Sequence, residues 1–420
     1  MTVAAKTVET PAISNKSSEK RRRILDAAAN EINAKGVGGV SFDGVASAAG
    51  LSRNALYHYV SDRGELAYLC FARSCEALMA DIEVAIAQSS DPSTQLEVLV
   101  SINLTSHCCN LAAFGDYEVL SEDQRAQILK MEAEIRSGIA AIVSQGITTG
   151  QFRIVDPLLV TDCLLGMINW VRLSERWLEH DITRERLANA ISDMLLRGFA
   201  KGPEVSSERW PTFEQLIVRN PNPFDREEMK EQKRQQVLGV ASQLFNRRGI
   251  EGTSLSDIVA AIGATKGVFY HYFEDKNELV IECYRRAFVL YGSFAETASA
   301  VGANGVEKAM ITNHLNCQAQ FSSIPPLTLQ RGLDTLSEPV RSQLAISSRQ
   351  VWEKVQSLVS EGISDGSCRQ IDVRAATEVA AGPFFWLVRN RKPRDPQEAW
   401  ATADAICDVI GYGVFVREDS

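Results

Sequence analysis

Apolar residues recur along this chain at spacings of three and four, the period of a helix with one buried face. Ile24, Leu25, Ala28 and Ile32 share a face over Arg22 to Ile32, and Val237, Val240, Ala241, Leu244 and Phe245 repeat the pattern far downstream. Two further helix pairs follow, Pro157 to Leu178 with Arg184 to Phe199, and Val373 to Arg389 with Gln397 to Phe415. The last helix of each pair carries its own stripe: Leu187, Ile191, Met194 and Leu195 in one, Trp400, Ala403, Cys407, Ile410 and Val414 in the other. Strand-type alternation bounded by turns is absent, so the expected fold class is all-α. The longest apolar run, Val379 to Val388, contains Pro383 and is about half of the ~18 residues that a membrane span needs.

The polar punctuation between these stripes is used twice. Gly36 to Leu66 aligns without a gap onto Gly249 to Leu279, with 11 of 31 positions identical. A helix ends at Gly36 or Gly249, where a positive φ suits a C-terminal cap. A short second helix starts behind Ser41 or Ser254 and stops at Gly50 or Gly263. A third starts behind Ser52 or Thr265 and runs to Tyr59 or Tyr272. A fourth begins at Asp62-x-x-Glu65 or Asp275-x-x-Glu278, a capping-box spacing. Helix, tight glycine turn, helix is a helix-turn-helix signature. The similarity resumes later, pairing Leu120-Ser121-Glu122 with Leu336-Ser337-Glu338, Gly146 and Gly150 with Gly362 and Gly366, and Trp170 with Trp386. One unit of about 200 residues has therefore been duplicated and fused.

Composition adjusts this picture in three places. The 420 residues allow two to three domains at ~150 each, and the repeat sets the boundaries: a disordered tail at 1–15, a head at 16–66 with its body at 67–200, a linker at 201–224, and a second head at 225–279 with its body at 280–415. Pro203, Pro211, Pro221 and Pro223 keep the linker from being one regular element. The net charge of −9 argues against nucleic acid only as an average, because Lys16 to Leu66 and Arg226 to Leu279 together sum to +2. Nine cysteines without a C-x-x-C pair fit a reducing cytosol, and the tail has no apolar stretch of a secretory signal, so a cytoplasmic location is expected. His107-Cys108-Cys109 lacks a second ligand cluster, so no metal is expected. Neither G-x-S-x-G, H-E-x-x-H nor a P-loop occurs, which leaves enzyme chemistry and a cofactor without support.

The arrangement Gly-x-x-Gly-x-Ser, a glycine turn, Ser/Thr-Arg/Lys, Tyr-His-Tyr and Asp-Lys/Arg-x-Glu-Leu resembles the DNA-binding head of the tetracycline-repressor (TetR) family of bacterial regulators. The second copy matches through Thr265-Lys266-Gly267-Val268-Phe269-Tyr270-His271-Tyr272-Phe273 and Lys276; the first departs at Asn54, Val60 and Gly64. Beyond the heads the likeness is one of layout. Family members usually carry one copy and act as dimers, so the resemblance implies two bodies paired inside one chain, an intrachain pseudo-dimer that could associate further.

The residues themselves fit duplex DNA. A helix opening with Ser52-Arg53-Asn54 or Thr265-Lys266-Gly267 suits base edges, since Arg and Lys pair with guanine and Asn with adenine. Tyr57, His58, Tyr270 and His271 follow one turn later, within reach of phosphates or thymine methyls. Ser41, Ser254, Arg63 and Lys276 stand at helix N-termini suited to a phosphate. Tyr59 and Tyr272 read as core. For a small-molecule effector the candidates are His107, Phe114, Phe152 and Trp170 in the first body and His314, Phe321, Phe385 and Trp386 in the second. These expectations describe a ligand-responsive transcriptional regulator, in the first place a repressor, acting on operator DNA. An activator, or a sensor or adaptor with one degenerate head, is the alternative.

Overall fold

The computed structural model describes residues 13–106, 111–174, 182–217, 224–328, 336–390, 393 and 395–417. Among them the only β-pairing is two isolated bridges, and everything else regular is helical. The first head comprises α1 (Ile13–Lys35), α2 (Phe42–Ala48) and α3 (Arg53–Leu56), and its body α4 (Arg63–Gln88), α5 (Pro92–Thr105), α6 (Glu122–Thr148), α7 (Pro157–Ser174) and α8 (Arg184–Arg197). A short α9 (Phe213–Ile217) lies within the linker. The second copy repeats the order with α10 (Arg226–Arg248), α11 (Leu255–Ala261), α12 (Lys266–Tyr272), α13 (Lys276–Val301), α14 (Gly305–Phe321), α15 (Glu338–Asp365), α16 (Val373–Ala380), α17 (Gly382–Asn390) and α18 (Pro396–Tyr412). No described helix is long and apolar enough to cross a membrane.

Local chemistry explains the head boundaries. Gly36 and Gly249 close the first helices at φ 71° and 73°, and Gly50 and Gly263 the second at 69° and 63°, values that a Cβ would penalise. Ser41 and Ser52 cap with their Oγ atoms, each accepting from a backbone N–H at 3.2 Å. Ser254 and Asp257 form a reciprocal capping box, whereas Thr265 occupies its cap position without a side-chain bond. At α4 and α13 the expected box is shifted by one residue. Asp62 and Asp275 accept from Glu65 and Glu278 at 2.8 Å, but the glutamates reach back to Ser61 and Glu274, one residue before the cap.

The two bodies meet along α7 and α17. Gly166 and Gly382 face each other there: a Cβ on Gly382 would fall 2.5 Å from the Gly166 carbonyl oxygen, so only glycine permits the approach. The long second-copy helix anticipated over Val373 to Arg389 is broken between α16 and α17, where Gly382 is followed by Pro383, which has no N–H to continue the ladder. Flanking this crossing, two clasps repeat with pseudo-two-fold symmetry. Arg153 binds the Asp408 carboxylate at 2.6 Å and the Gly413 carbonyl at 2.7 Å, while Arg369 binds the Asp193 carboxylate and the Gly198 carbonyl. The bridges Phe152–Phe415 and Ala200–Cys368 lie beside them.

The linker is held rather than slack over its described part. Trp210 and Phe213 are buried; the Trp210 indole donates to Glu307 at 3.1 Å, the Phe213 ring meets Phe294 at 5.9 Å, and Val205 N donates to the Tyr412 hydroxyl at 2.7 Å.

Candidate functional site

In each head the second and third helices present one exposed polar face. Ser52, Arg53, Asn54, Tyr57 and His58 are exposed in the first, and Ser254, Thr265, Lys266, Gly267, Tyr270 and His271 in the second. Tyr57 and Tyr270 keep 46% and 56% of their surface open, while Tyr59 and Tyr272 are half-buried, so each Tyr-His-Tyr triplet divides as its spacing suggests. Behind these faces lie Leu56 and Phe269, fully buried, which fix the third helix to the head core.

The two reading turns differ more than their sequences indicate. α12 runs seven residues to Tyr272, whereas α3 ends at Leu56, short of the expected Tyr59, because His58 and Tyr59 donate to carbonyls three residues back and tighten the turn. The Arg53 guanidinium is also oriented, paired with Asp43 of α2 at 2.9 Å. Aligned residues place Ser256 where the first head has Asp43, so Lys266 faces no carboxylate from that position. Asp43 escaped the sequence reading; its place ten residues before Arg53 carries no local signal. Ser41 is half-buried in its cap. Arg63 donates to the Gly38 carbonyl at 3.0 Å, and Lys276 is half-buried beside Glu251, burial lowering the pKa of its ammonium. Both cations therefore sit against the turn that follows the first helix of a head.

Those turns bring the heads together. A Cβ on Gly38 would stand 3.0 Å from the Glu251 Cβ and 3.1 Å from Gly252 N. A loop of the first body, with a short turn over Tyr117–Val119, sits against both: Asp116, held at φ 56°, accepts from Val37 N at 3.0 Å, and Glu118 pairs with Arg248 and Arg247 at 2.5 and 3.7 Å. No motif marked this loop.

The aromatic candidates separate into three groups. Trp170 and Phe385 stack at 4.4 Å and line a cavity between α13, α14, α15 and the α16–α17 break. Trp386 is buried against Phe114 at 6.1 Å, and Phe114 N donates to Asn169 at 2.8 Å, so these two fill the seam behind the cavity wall. Phe152, His314 and Phe321 are placed elsewhere. Phe152 occupies the room left by Gly146 and meets Phe415; His314 faces Trp210, Trp400 and Asp404, on another side of α14; Phe321 is half-buried at the end of α14. His107 lies outside the described residues. A pocket within each body was expected, but this half-open cavity, about 930 Å³ of empty space counted together with the solvent at its mouth, is built from the second body and flanked by Trp170, Met194 and Phe199 of the first.

The corresponding place in the first body holds a polar network. Asn103 donates to Asp81 at 2.8 Å and accepts from Arg172 at 2.5 Å, and Arg136 pairs with the buried Asp162 at 2.8 Å. The aligned second-copy residues are Phe294 for Asp81, Asn316 for Asn103, Trp352 for Arg136 and Glu378 for Asp162. Glu378 accepts from the Trp170 indole at 3.0 Å across the seam, and burial pushes its carboxyl up to about 7.

Paired three-helix heads with an exposed third helix on a helical body define a helix-turn-helix regulator. Comparison with known proteins fixes the group: the model for bacterial regulatory proteins of the tetR family matches residues 24–67 and again 237–283, and that for the tetracyclin repressor-like C-terminal domain matches 90–199. The chain is a tetR-family transcriptional regulator with the DNA-binding module in tandem. It is 29% identical over 185 residues to the HTH-type transcriptional repressor KstR2 of Rhodococcus jostii (strain RHA1), covering 41% of this chain and 86% of that repressor. The HTH-type transcriptional regulator AcrR of Shigella flexneri is 42% identical over 52 residues, 12% of this chain and 24% of its own length. Among solved structures, the TetR family transcriptional regulator PfmR from Thermus thermophilus is 27% identical with a TM-score of 0.34, over 41% of this chain and 96% of that one.

Proposed function

We propose that one chain binds duplex operator DNA with both heads, as an intrachain pseudo-dimer, and that a small molecule in the seam cavity alters that binding. The observation that carries the reading is the reciprocal clasp, Arg153 on Asp408 and Arg369 on Asp193, which supports two copies related as subunits of a dimer would be. Arg53, Asn54, Tyr57 and His58 then read one half-site and Lys266, Gly267, Tyr270 and His271 the other, with Ser41, Ser52, Arg63, Ser254, Thr265 and Lys276 toward the backbone. Repression follows from occupancy of a promoter. The effector acts only through a difference in its affinity for the DNA-competent and DNA-free states. The cavity wall supports such a link: Trp386, next to Phe385, packs on Phe114, two residues before Asp116, which touches the first head.

Footprinting on the duplex upstream of the chain's own reading frame tests this. Protection of two half-sites about one helical turn (~34–36 Å) or a multiple apart, lost as salt rises, is the expected result. Protection of a single half-site, unchanged by Lys266→Ala with Tyr270→Ala, would refute the two-head reading.

A further inference from the structure

We propose that the seam cavity takes one uncharged, largely apolar molecule per chain, whose hydroxyl or amide N–H donates to Asn316 Oδ1. The inference rests on the effector reading above and adds the chemistry and the stoichiometry. Its starting point is the alignment of the two bodies. Asp91 and Asn304 cap α5 and α14 in the same way, each accepting from the residue three positions on, which places Asn103 and Asn316 at equivalent points. In the first body the Asn103 oxygen is satisfied by Arg172, and the Asn103 amide donates to Asp81. In the second the Asn316 oxygen is out of contact with solvent and has no hydrogen-bond partner among the described residues, although Asn316 lines the cavity. A buried acceptor left unmade is a cost that a donor on a bound molecule removes.

The exchange of neighbours sets the rest of the ligand. Where the first body has Asp81 and Arg136, the second has Phe294 and Trp352, and both rings line the cavity. No Asp, Glu, Lys, Arg or His contributes to its described lining. An ion entering it would lose its hydration without gaining a counter-charge, whereas a neutral molecule would bury apolar surface against Phe288, Phe294, Trp352 and Phe385. Glu378, next to Thr377 of the cavity wall, is engaged by Trp170 and Ser174. The first body's equivalent space is occupied by its own Asp81–Asn103–Arg172 network, so the count is one molecule per chain, and Trp170 of the first copy flanks it.

Titration calorimetry with a matched series tests the chemistry on the full chain without DNA: 2-naphthol, naphthalene, 2-naphthoate and (2-naphthyl)methylammonium. The expected result is one equivalent of 2-naphthol per chain, bound about fivefold tighter than naphthalene, with both ions weaker than either. Asn316→Leu should remove the preference for 2-naphthol while leaving naphthalene binding in place. Trp352→Arg, which restores the first-copy residue, should abolish binding of both neutral compounds. Two equivalents per chain, tightest binding by either ion, no binding of 2-naphthol, or a naphthol preference that survives Asn316→Leu would overturn the proposal. The comparison among ligands on the unaltered chain decides the matter even if a variant fails to fold. Should the series behave as expected while 2-naphthol leaves the footprint unchanged, the effector reading fails and the site stands; a footprint with no naphthol binding separates the two in the other direction.

Discussion

Glu378→Gln removes one proton-binding equilibrium from the seam and leaves its geometry in place. The glutamine oxygen can still accept from the Trp170 indole, which Glu378 does at 3.0 Å. Burial raises the native carboxyl from the ordinary 4.5 to about 7, against the opposing hydrogen bonds from Ser174 and Trp170. The folded chain therefore keeps this proton to near neutrality, while the unfolded chain releases it near 4.5. With respect to this group, stability is highest below the unfolded value and is lost progressively as pH rises to the native value, after which the loss is constant. At 1.36 kcal/mol per pKa unit the difference amounts to about 3 kcal/mol. Urea unfolding of the variant and the parent side by side, followed through tryptophan emission, isolates this contribution. The variant should match the parent near pH 4.5 and exceed it by up to about 3 kcal/mol at pH 8. A variant-minus-parent difference that stays flat with pH, or a variant less stable at pH 8, would refute the argument.

Other outcomes follow from the same geometry. Arg53→Ala should cost about 1–3 kcal/mol of DNA binding and relax preference at one half-site only, as read by selection from random duplexes; a palindromic consensus unchanged in both halves would contradict it. Asp43→Ala, breaking an exposed pair, should change the melting temperature little, at a cost of under about 1 kcal/mol, yet weaken discrimination at that same half-site. Gly382→Ala puts a methyl 2.5 Å from a backbone oxygen and should destabilise the α7–α17 crossing, by about 1–3 kcal/mol or more in a thermal melt. Light scattering in dilute solution should give one chain per particle, and a mass of two chains falling to half-folded monomers on dilution would exclude the intrachain pairing.

The heads were legible because their information is local. A serine or aspartate cap, a glycine at positive φ and an apolar residue at helical spacing each act within a few residues, and Ser41, Asp62, Gly36 and Gly249 behave as their types require. The seam was partly legible, through Trp170 and Trp386 recurring at a fixed offset, whereas Gly166 and Gly382, which set its close approach, went unmarked. Its clasps were not: Arg153 and Asp408 are 255 residues apart, and neither stands out in its own neighbourhood. The cavity escaped for a related reason. Phe152, Phe321 and Trp386 are aromatic like Trp170 and Phe385, and only packing distinguishes a ring that closes the seam from one that lines an opening. Asp43 and Asp116 looked like ordinary turn and surface acids, their roles being defined by partners on other elements.

The Asp81–Asn103–Arg172 network in the first body bears on how sharply the chain can respond. In a dimer of identical subunits every substitution enters twice, so two equivalent pockets either both exist or both vanish, and two bound molecules can reinforce one another. Gene fusion lifts that constraint, since Phe294 and Trp352 stand in one body while Asp81 and Arg136 stand in the other. With a single occupancy per chain, saturation follows a plain hyperbola, and going from one-tenth to nine-tenths bound takes an ~81-fold rise in concentration. Under the proposed single occupancy such a regulator would act as a graded dimmer, its output tracking effector level over about two decades rather than flipping at a threshold.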